Sequence, residues 1–254
     1  MAKKDDAKLF EHLQNFDKDL EGFEGVNLDT MAIPFIKILQ KLSPELDAKD
    51  DKYIEGAKEG MLFNTVSQRL YETPLRFVVG KFEHLFIEYL PKRGGFVNAW
   101  APEAVAKLPL QWVTNDEGAK KLLHPETRNV FVETYSYYCL LPDFMDDEVV
   151  ILSFYSTALK EARRLNRLLF TTNVPHSNCK AMPYFMIWNF ELKDMKNDQG
   201  SWYGPKITLD TFVNQPQLDY VKEQRAQIPN KQVDYSQLAL PESTPTAEPQ
   251  DVKY

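Results

Sequence analysis

One stretch constrains the fold of this chain more than any other: residues 75–90 read LRFVVGKFEHLFIEYL. Aromatic and β-branched side chains dominate it, and these residue types favour β-strands. The run also carries one interior glycine, Gly80. A glycine inside a strand indicates a bulge or a sharp bend, which a small closed β-barrel requires. The segment therefore predicts a long, bent strand of a barrel.

Other runs of similar composition predict further strands around this one. MLFNTV (61–66) and RLY (69–71) flank a short polar turn, which is typical of a hairpin. Four later runs also predict strands: 129–141, 148–156, 183–193 and 201–209. Many short strands, turn sequences and a bend glycine suit a Greek-key barrel. The expected fold class is mainly β with α (α+β), a β-barrel elaborated by helices.

Three parts of the chain differ in composition. Residues 1–30 are polar and of mixed charge, and predict a flexible N-terminal segment. Residues 31–228 hold the apolar patterns and predict the folded domain. Residues 229–254 are rich in Pro, Ser, Thr and acids without an apolar period, and predict a disordered acidic tail.

Two segments inside the domain allow less regular interpretations. Residues 33–46, IPFIKILQKLSPEL, fit either a helix with Pro34 in its first turn or a strand. Residues 101–128 are rich in Ala, Lys and Glu, and predict helix and loop.

The overall charge and the cysteines limit the class of protein. The formal net charge is −7, which alone argues against non-specific binding to phosphates. The distribution matters more, because the basic residues cluster in the middle of the chain. Cys139 and Cys179 are too few for a disulfide framework, and free thiols suit a reducing cytoplasm. No apolar run approaches the roughly 20 residues of a membrane span, and no signal peptide is evident. We therefore expect a cytoplasmic protein without a membrane partner.

Residues 158–170, ALKEARRLNRLLF, are the clearest predicted helix. At about 100° per residue, four cations fall on one narrow face and four small or apolar residues on the opposite face. The cations are Lys160, Arg163, Arg164 and Arg167, and the opposite residues are Ala158, Ala162, Leu165 and Leu169. Such a face can be simply solvated. In an acidic chain, however, it makes a local positive field that attracts an anionic ligand, for which a phosphate backbone is the obvious candidate.

Aromatic and basic side chains interleave in residues 89–100, YLPKRGGFVNAW. Lys92 and Arg93 would hold phosphates, and Phe96 and Trp100 would stack on bases, with stacking worth ~1–3 kcal/mol per base. The two adjacent glycines would let the backbone approach a ligand. The alternative is a hairpin tip with a few core aromatics.

A second set of candidate stacking residues lies in later strands. Tyr135 and Tyr137 share one face of a strand and Tyr138 lies on the other, because side chains alternate. Trp188 belongs to another predicted strand. An exposed pair of these rings would be a stacking platform, and the alternation leaves open which face meets solvent.

The predicted tail could bind partner proteins. Glu242, Glu248 and Asp251 make it acidic, and the last residue is Tyr254. Such a tail can fold over a basic groove and compete with nucleic acid, or present a terminal aromatic residue to another protein. The alternative is a frayed terminus.

Catalytic and metal-binding patterns are sparse. His176 and Cys179 form one close pair, whereas a structural zinc site usually needs two. No phosphate-binding glycine loop or nucleophile motif is present. Asp143, with Glu191 and Lys193 further on, resembles the carboxylate-and-lysine pattern of Mg²⁺-dependent nucleases. That pattern is short, and we expect no catalytic residue, metal or cofactor.

Five stretches together resemble a family of tailed-bacteriophage proteins described as single-stranded DNA-binding proteins. They are IPFIKILQKLSPEL, EGAKEGMLFNTV, FIEYLPKRGGF, STALKEARRLN and MPYF…GSWYGPKI. The resemblance implies an oligonucleotide/oligosaccharide-binding (OB) barrel with extra helices. It also implies an acidic C-terminal tail that docks replication or recombination proteins, although the tail here is less densely acidic than in well-known members.

These observations predict a sequence-tolerant single-stranded DNA-binding protein of phage replication or recombination, not an enzyme. Its partners would be single-stranded DNA, replication or recombination proteins of phage or host, and further copies of itself on DNA. Two alternatives remain open. One is the Mg²⁺-dependent nuclease, and the other is a protein-interaction accessory factor of replication or transcription whose basic helix meets an acidic protein surface.

Overall fold

The computed structural model describes residues 32–91, 95–114, 120–143, 149–197, 200–228, 233 and 235. Within these ranges the chain is mainly β with a few helices, as predicted. The strands are β1 (Ile36–Ile38), β2 (Leu62–Asn64), β3 (Leu70–Tyr71), β4 (Leu75–Tyr89), β5 (Phe96–Trp100), β6 (Gln111–Thr114), β7 (Lys120–Leu123), β8 (Val130–Leu140), β9 (Val149–Tyr155), β10 (Met186–Asn197) and β11 (Gly200–Phe212). The helices are α1 (Pro102–Val105), α2 (Leu159–Thr171) and α3 (Gln215–Gln227).

The strands form two antiparallel sheets. The small sheet has the order β1-β2-β3, and the predicted hairpin at 61–71 is its β2–β3 pair. The large sheet has the order β11-β10-β4-β8-β7-β6, with β5 also paired to β4 and β9 also paired to β8. A parallel bridge between Phe35, just before β1, and Ile151 of β9 connects the two sheets.

The long strand β4 bends at the predicted glycine. Its first residues pair with β10, and its remainder pairs with β8 as far as Tyr89. The register with β8 shifts between Val79 and Lys81, so Gly80 is the bulged residue. The bulge reverses the alternation of side chains. Before the bulge, the odd-numbered Val79 faces the core. After the bulge, the even-numbered residues of β4, beginning with Phe82, lie on that same face.

The core lies between this face of the large sheet and α2. Apolar side chains of α2 enter it at Leu159, Ala162, Leu165 and Leu169. Three of these belong to the predicted apolar stripe, whereas its fourth member, Ala158, is partly buried in a 3₁₀ turn before the helix. From the strands, the largest buried contributors are Phe77, Tyr137, Phe154 and Trp188.

The free edge of β11 is covered by side chains. The Gln40 side-chain amide donates to the Tyr203 carbonyl at 2.8 Å and accepts from the Tyr203 N–H at 2.9 Å. Two residues on, Pro205 has no N–H to offer. At Ile207, the N–H donates to Glu161 at 2.6 Å and the carbonyl accepts from Arg164. These contacts cap an edge that would otherwise template pairing with another strand.

Strand pairing among the described residues does not close the large sheet into a barrel. Five of its strands follow the order β9-β8-β4-β10-β11, in which β11 is the last strand. The contact of β11 with the chain just after β1 is made by the Gln40 side chain, not by a backbone ladder. The closed barrel expected from sequence is therefore an open sheet whose far edge is capped by polar side chains.

Three elements differ from the sequence expectations. Residues 33–46 contain the strand β1 and a 3₁₀ turn at Pro44–Leu46, so the strand alternative holds and the helix does not. Residues 101–128 contain the paired strands β6 and β7 besides the short α1. Helix α3 was not predicted, although its start carries a capping box between Asn214 and Gln217 with a proline in the first turn.

One residue of the predicted tail is packed against the sheet. Tyr235 is fully buried, and its ring centroid lies 5.5 Å from that of Phe35. Its hydroxyl lies 3.5 Å from a carboxylate oxygen of Glu83, which also accepts from Tyr138 at 2.9 Å. The packed chain therefore reaches at least residue 235, beyond the boundary at 228 expected from composition.

Candidate nucleic-acid interface

Beyond the Gly80 bulge, one face of β4 and β8 is lined with rings. Phe82, His84 and Phe86 alternate along β4 on this face. Across the ladder they lie opposite Tyr137, Tyr135 and Glu133 of β8, respectively. Directly opposite residues of an antiparallel pair project to the same side. The sequence pattern thus places a row of aromatic side chains along the pair of strands.

The rings are in contact with one another. The ring centroid of Tyr135 lies 5.4 Å from that of Phe82 and 4.8 Å from that of His84, both edge-on. His84 and Phe86 have centroids 5.6 Å apart. Phe82 is 39% exposed, and His84, Phe86 and Tyr135 are partly exposed. These rings form a continuous aromatic strip that is partly exposed to solvent.

Trp100 of β5 extends the strip on the other side of β4. It lies opposite Phe86, and its indole N–H donates to Glu88 at 2.8 Å. The other oxygen of Glu88 accepts from Asn129 at 2.6 Å, so this buried carboxylate has two donors. These bonds hold the Trp100 ring on the strip. We call Phe82, His84, Phe86, Trp100 and Tyr135 the aromatic face.

Phe96 does not belong to the aromatic face. The β4–β5 register shifts between Glu88 and Tyr89, and Phe96 pairs with Tyr89. Tyr89 alternates with Ile87 on the opposite side of β4. Phe96 therefore lies on the opposite side of the sheet from Trp100, and its stacking on a base stays a prediction.

Helix α2 brings cations to the aromatic face. The Arg163 guanidinium lies 5.8 Å from the ring centroid of Tyr135 and donates to Glu133 at 3.1 Å. Glu133 also lies 3.2 Å from the imidazole of His84. Burial lowers the pKa of Arg163, but contacts with Tyr135 and Glu133 outweigh it and hold the pKa above its ordinary value. The basic helix and the aromatic strands thus share one surface.

Lys160 and Arg167 are exposed on the same helical face as Arg163. Within the described part of the chain, neither forms an ion pair. These two side chains are therefore the most available cations of the four predicted on this helix.

Arg164 has a different role from its neighbour. It donates to both carboxylate oxygens of Glu161, at 2.6 and 3.1 Å, and to the Ile207 carbonyl. Burial raises the pKa of Glu161, but its bonds to Arg164 and the Ile207 N–H outweigh this and lower the pKa. Arg164 thus holds a buried carboxylate against the edge of β11, and its predicted phosphate contact would compete with these bonds.

Two predicted stacking residues lie in the core. Tyr137 and Trp188 are fully buried. The Tyr137 hydroxyl donates to the Ala162 carbonyl or to Asn166, at 3.0 and 2.8 Å, beneath α2. No base can reach either ring in this conformation, so the prediction that they stack is wrong. Tyr138 lies on the other face of β8, as its position in the strand predicted.

Several predicted residues lie outside the described ranges. They are Lys92 and Arg93 in the β4–β5 connection and Glu242, Glu248, Asp251 and Tyr254 in the C-terminal segment. The predicted flexible segment 1–30 also lies outside them.

Comparison with known families assigns the chain to a phage family. The profile of the Pam3 phage gp34-like proteins matches residues 3–234. The chain belongs to this family. No curated protein and no solved structure matches it. The phage origin expected from the sequence is thereby confirmed.

The carboxylates of the nuclease-like pattern are engaged by cations. Asp143 accepts from Arg76 at 2.6 Å. Glu191 accepts from Lys206 at 2.6 Å and from Thr208 at 3.1 Å. In the described ranges, no three His, Cys, Asp or Glu side chains are grouped as a metal site would require. Arg76 and Lys206 thus lie beside the carboxylate oxygens to which a metal ion would have to bind.

No helix in the described part of the chain is both long enough and apolar enough to cross a bilayer. Cys139 is buried and Cys179 is exposed, and neither forms a disulfide.

Four site residues were missed at the sequence level: Phe82, His84, Phe86 and Glu133. The signal was available in part, because a bulge at Gly80 implies that the alternation changes there. Carried through the bulge, the alternation assigns the even-numbered positions of β4 to the same face as Tyr135.

Proposed function

We propose that this phage protein binds single-stranded DNA through the aromatic face and the cations of α2. One observation carries the proposal: Arg163 lies against Tyr135, which joins the basic helix to the row of rings. Proteins that bind single strands without sequence preference combine cations that follow the backbone with aromatic rings on which bases stack. Both components meet here on one surface.

The available groups match a flexible, unpaired strand. Stacking on an aromatic side chain is worth ~1–3 kcal/mol per base and tolerates any base, since every base has a π-face. Lys160 and Arg167 would contact phosphates directly. Arg163 would contact a phosphate by exchanging or sharing its ion pair with Glu133. Both side chains of that pair are partly exposed, so a phosphate can reach the guanidinium.

The strand order supports an OB-like fold for this site. In the order β9-β8-β4-β10-β11, α2 is inserted between β9 and β10. We interpret β4, β8, β9, β10 and β11 as the five strands of a partly open OB barrel. Such barrels bind oligonucleotides on their second and third strands and on the loop between the first and second. Here the second strand is β8, which carries Tyr135, and the loop is the β4–β8 connection, which contains Lys92, Arg93 and Trp100. The remaining rings of the aromatic face lie on the first strand, β4.

The biological role we propose is coating of single-stranded DNA during phage replication or recombination in the host cytoplasm. The negative total charge would limit binding to duplex and other anions, because attraction is confined to one surface. The acidic residues Glu242, Glu248 and Asp251, with Tyr254, would recruit replication or recombination partners.

The experiment is a fluorescence-anisotropy titration of a labelled ~30-nucleotide single strand and of the matching duplex, at two salt concentrations, with and without Mg²⁺. We expect single-strand binding that weakens with salt, weak duplex binding and no cleavage. Absence of single-strand binding would contradict the proposal and favour a protein partner for α2. Mg²⁺-dependent cleavage would favour the nuclease.

A further inference from the structure

The two most exposed large apolar side chains of the described residues are both aromatic. Phe170 of α2 is 72% exposed, and Trp112 of β6 is 69% exposed. Singly exposed apolar side chains are common on protein surfaces, so such a ring indicates a binding surface only where other binding groups lie beside it.

Strand register places Trp112 on the same side of the sheet as the aromatic face. Trp112 pairs with Leu122 of β7, and Leu122 pairs with Phe131 of β8. Phe131 is separated from Tyr135 by four residues of one strand, so the two project to the same side. Trp112 thus lies on that side at the β6 edge of the sheet.

A cation accompanies Trp112. Lys120 is exposed, and it lies two residues before Leu122 on β7, opposite Thr114. By the same alternation, Lys120 and Trp112 project to one side of the hairpin. The β6–β7 hairpin therefore presents an exposed ring and a cation, the two kinds of side chain with which proteins bind a single strand.

Phe170 lies at the opposite end of the surface. It follows Arg163 by seven residues and Arg167 by three, so the three side chains share one stripe of α2. Arg163 contacts Tyr135, and Asn166, one turn later, contacts Tyr137. The helix therefore leads from Arg163 in the direction away from Phe131 and Trp112.

We propose that a single strand follows a continuous track from Trp112, across the aromatic face, to Phe170. This inference rests on the proposed function and specifies its ligand as an extended, unstacked single strand, not a short oligonucleotide end or a duplex. From Phe131 to Tyr135 the track covers roughly 13 Å of strand. From Arg163 to Phe170 it adds roughly 10 Å of helix.

The two ends of the track predict a length dependence. A short oligonucleotide can occupy the central aromatic face alone, whereas a longer one also reaches Trp112 and Phe170. Affinity should therefore rise with length and level off once both ends are occupied. In a duplex the base faces are already stacked on one another, so the terminal rings gain nothing.

The test titrates full-length protein with oligothymidylates of about 5, 10, 20 and 30 nucleotides, a range chosen around the site sizes of OB folds. The variants are Trp112→Ala and Phe170→Ala, with Leu42→Ala as the matched control, because Leu42 is 67% exposed. Circular dichroism confirms that each variant is folded. We expect Trp112→Ala and Phe170→Ala to bind the long strands about 5- to 150-fold more weakly and the shortest one unchanged.

The outcomes separate the track from the proposed function. If wild-type protein binds the long strands and both variants bind them as Leu42→Ala does, the track is wrong and the function stands. If the variants lose affinity equally at every length, the rings act on the fold or the central site and the track is again wrong. If wild-type protein binds no oligothymidylate, both the function and the track are overturned.

Discussion

Arg163 and Arg164 are neighbours on α2, but their guanidinium groups have different partners. Arg163 lies over Tyr135 and bonds the partly exposed Glu133. Arg164 bonds the buried Glu161 and the edge of β11. A helical wheel places both arginines on the same face of α2. Their different partners lie on β8 and β11, which are distant in sequence, so the wheel cannot distinguish them. The sequence alone could predict the cationic face, but not which of its arginines contacts the aromatic face and which contacts β11.

The two arginines should therefore give separable mutant effects. Arg164→Ala leaves the buried Glu161 carboxylate without its cation, so we expect a loss of about 1–3 kcal/mol in unfolding free energy and little change in salt dependence. Arg163→Ala should cost little stability, and should lower the slope of log K against log salt by ~0.7 for a single strand. Urea denaturation and salt-dependent anisotropy measure the two effects. An unchanged salt slope for Arg163→Ala would remove this residue from the interface.

The aromatic residues show what alternation can and cannot predict. It correctly separates Tyr135 and Tyr137 from Tyr138. It fails to separate Tyr135 from Tyr137, because α2 buries Tyr137 completely, whereas Tyr135 meets the Arg163 side chain and stays partly exposed. Burial of two residues on one face of a strand is decided by which other element packs there, and that is a tertiary contact.

At the scale of elements, local chemistry explains both the successes and the failures. Gly80 predicted the bulge of β4, because glycine inside a strand is typical of a bulge. A Cβ there would lie 2.7 Å from the Cδ1 atom of Ile228 and 3.4 Å from the Tyr138 carbonyl, so the end of the Ile228 side chain would have to shift. The β6–β7 hairpin was missed because its Lys- and Ala-rich neighbourhood outweighed Trp112 and Val113, which favour a strand.

The edge of β11 offers a prediction at this scale. Gln40→Ala removes both side-chain bonds to the Tyr203 backbone, which we expect to lower the unfolding free energy by about 1–2 kcal/mol. It also exposes an unpaired strand edge, so aggregation at high concentration should increase. Urea denaturation and light scattering test this. The control is Gln215→Ala, whose amide donates to the exposed side chain of Asp219. Equal behaviour of the two variants would contradict the capping role.

At the scale of the whole molecule, the strand order could not be derived from the sequence, because it depends on pairings across long separations. Residues 36–38 pair with 62–64, whereas 75–78 pair with 187–190. Composition predicted a folded middle region, but it gave no signal that Tyr235 returns to the sheet. One aromatic residue in a Pro- and acid-rich segment carries no periodicity, so its burial is visible only in three dimensions.

The position of Tyr235 predicts where the chain can be shortened. A chain ending at residue 228 loses the packing of Tyr235 on Phe35 and Glu83, and we expect its unfolding free energy to fall by about 3 kcal/mol. A chain ending at residue 235 retains those contacts and should match the full-length protein. Thermal and urea denaturation of the three chains compare them directly. Equal stability of the chains ending at 228 and 235 would show that Tyr235 contributes nothing.

The central claim is that single-stranded DNA lies on the aromatic face beside α2. Ultraviolet cross-linking of the full-length protein to a thymine-rich single strand, followed by mass spectrometry of the linked peptides, tests it most directly. We predict adducts on β4, β5 and β8, at Phe82, Trp100 and Tyr135, and their loss when unlabelled single strand competes. Adducts confined to the opposite surface, around Arg76 and Lys206, or no adducts that single strand competes away, would contradict the account.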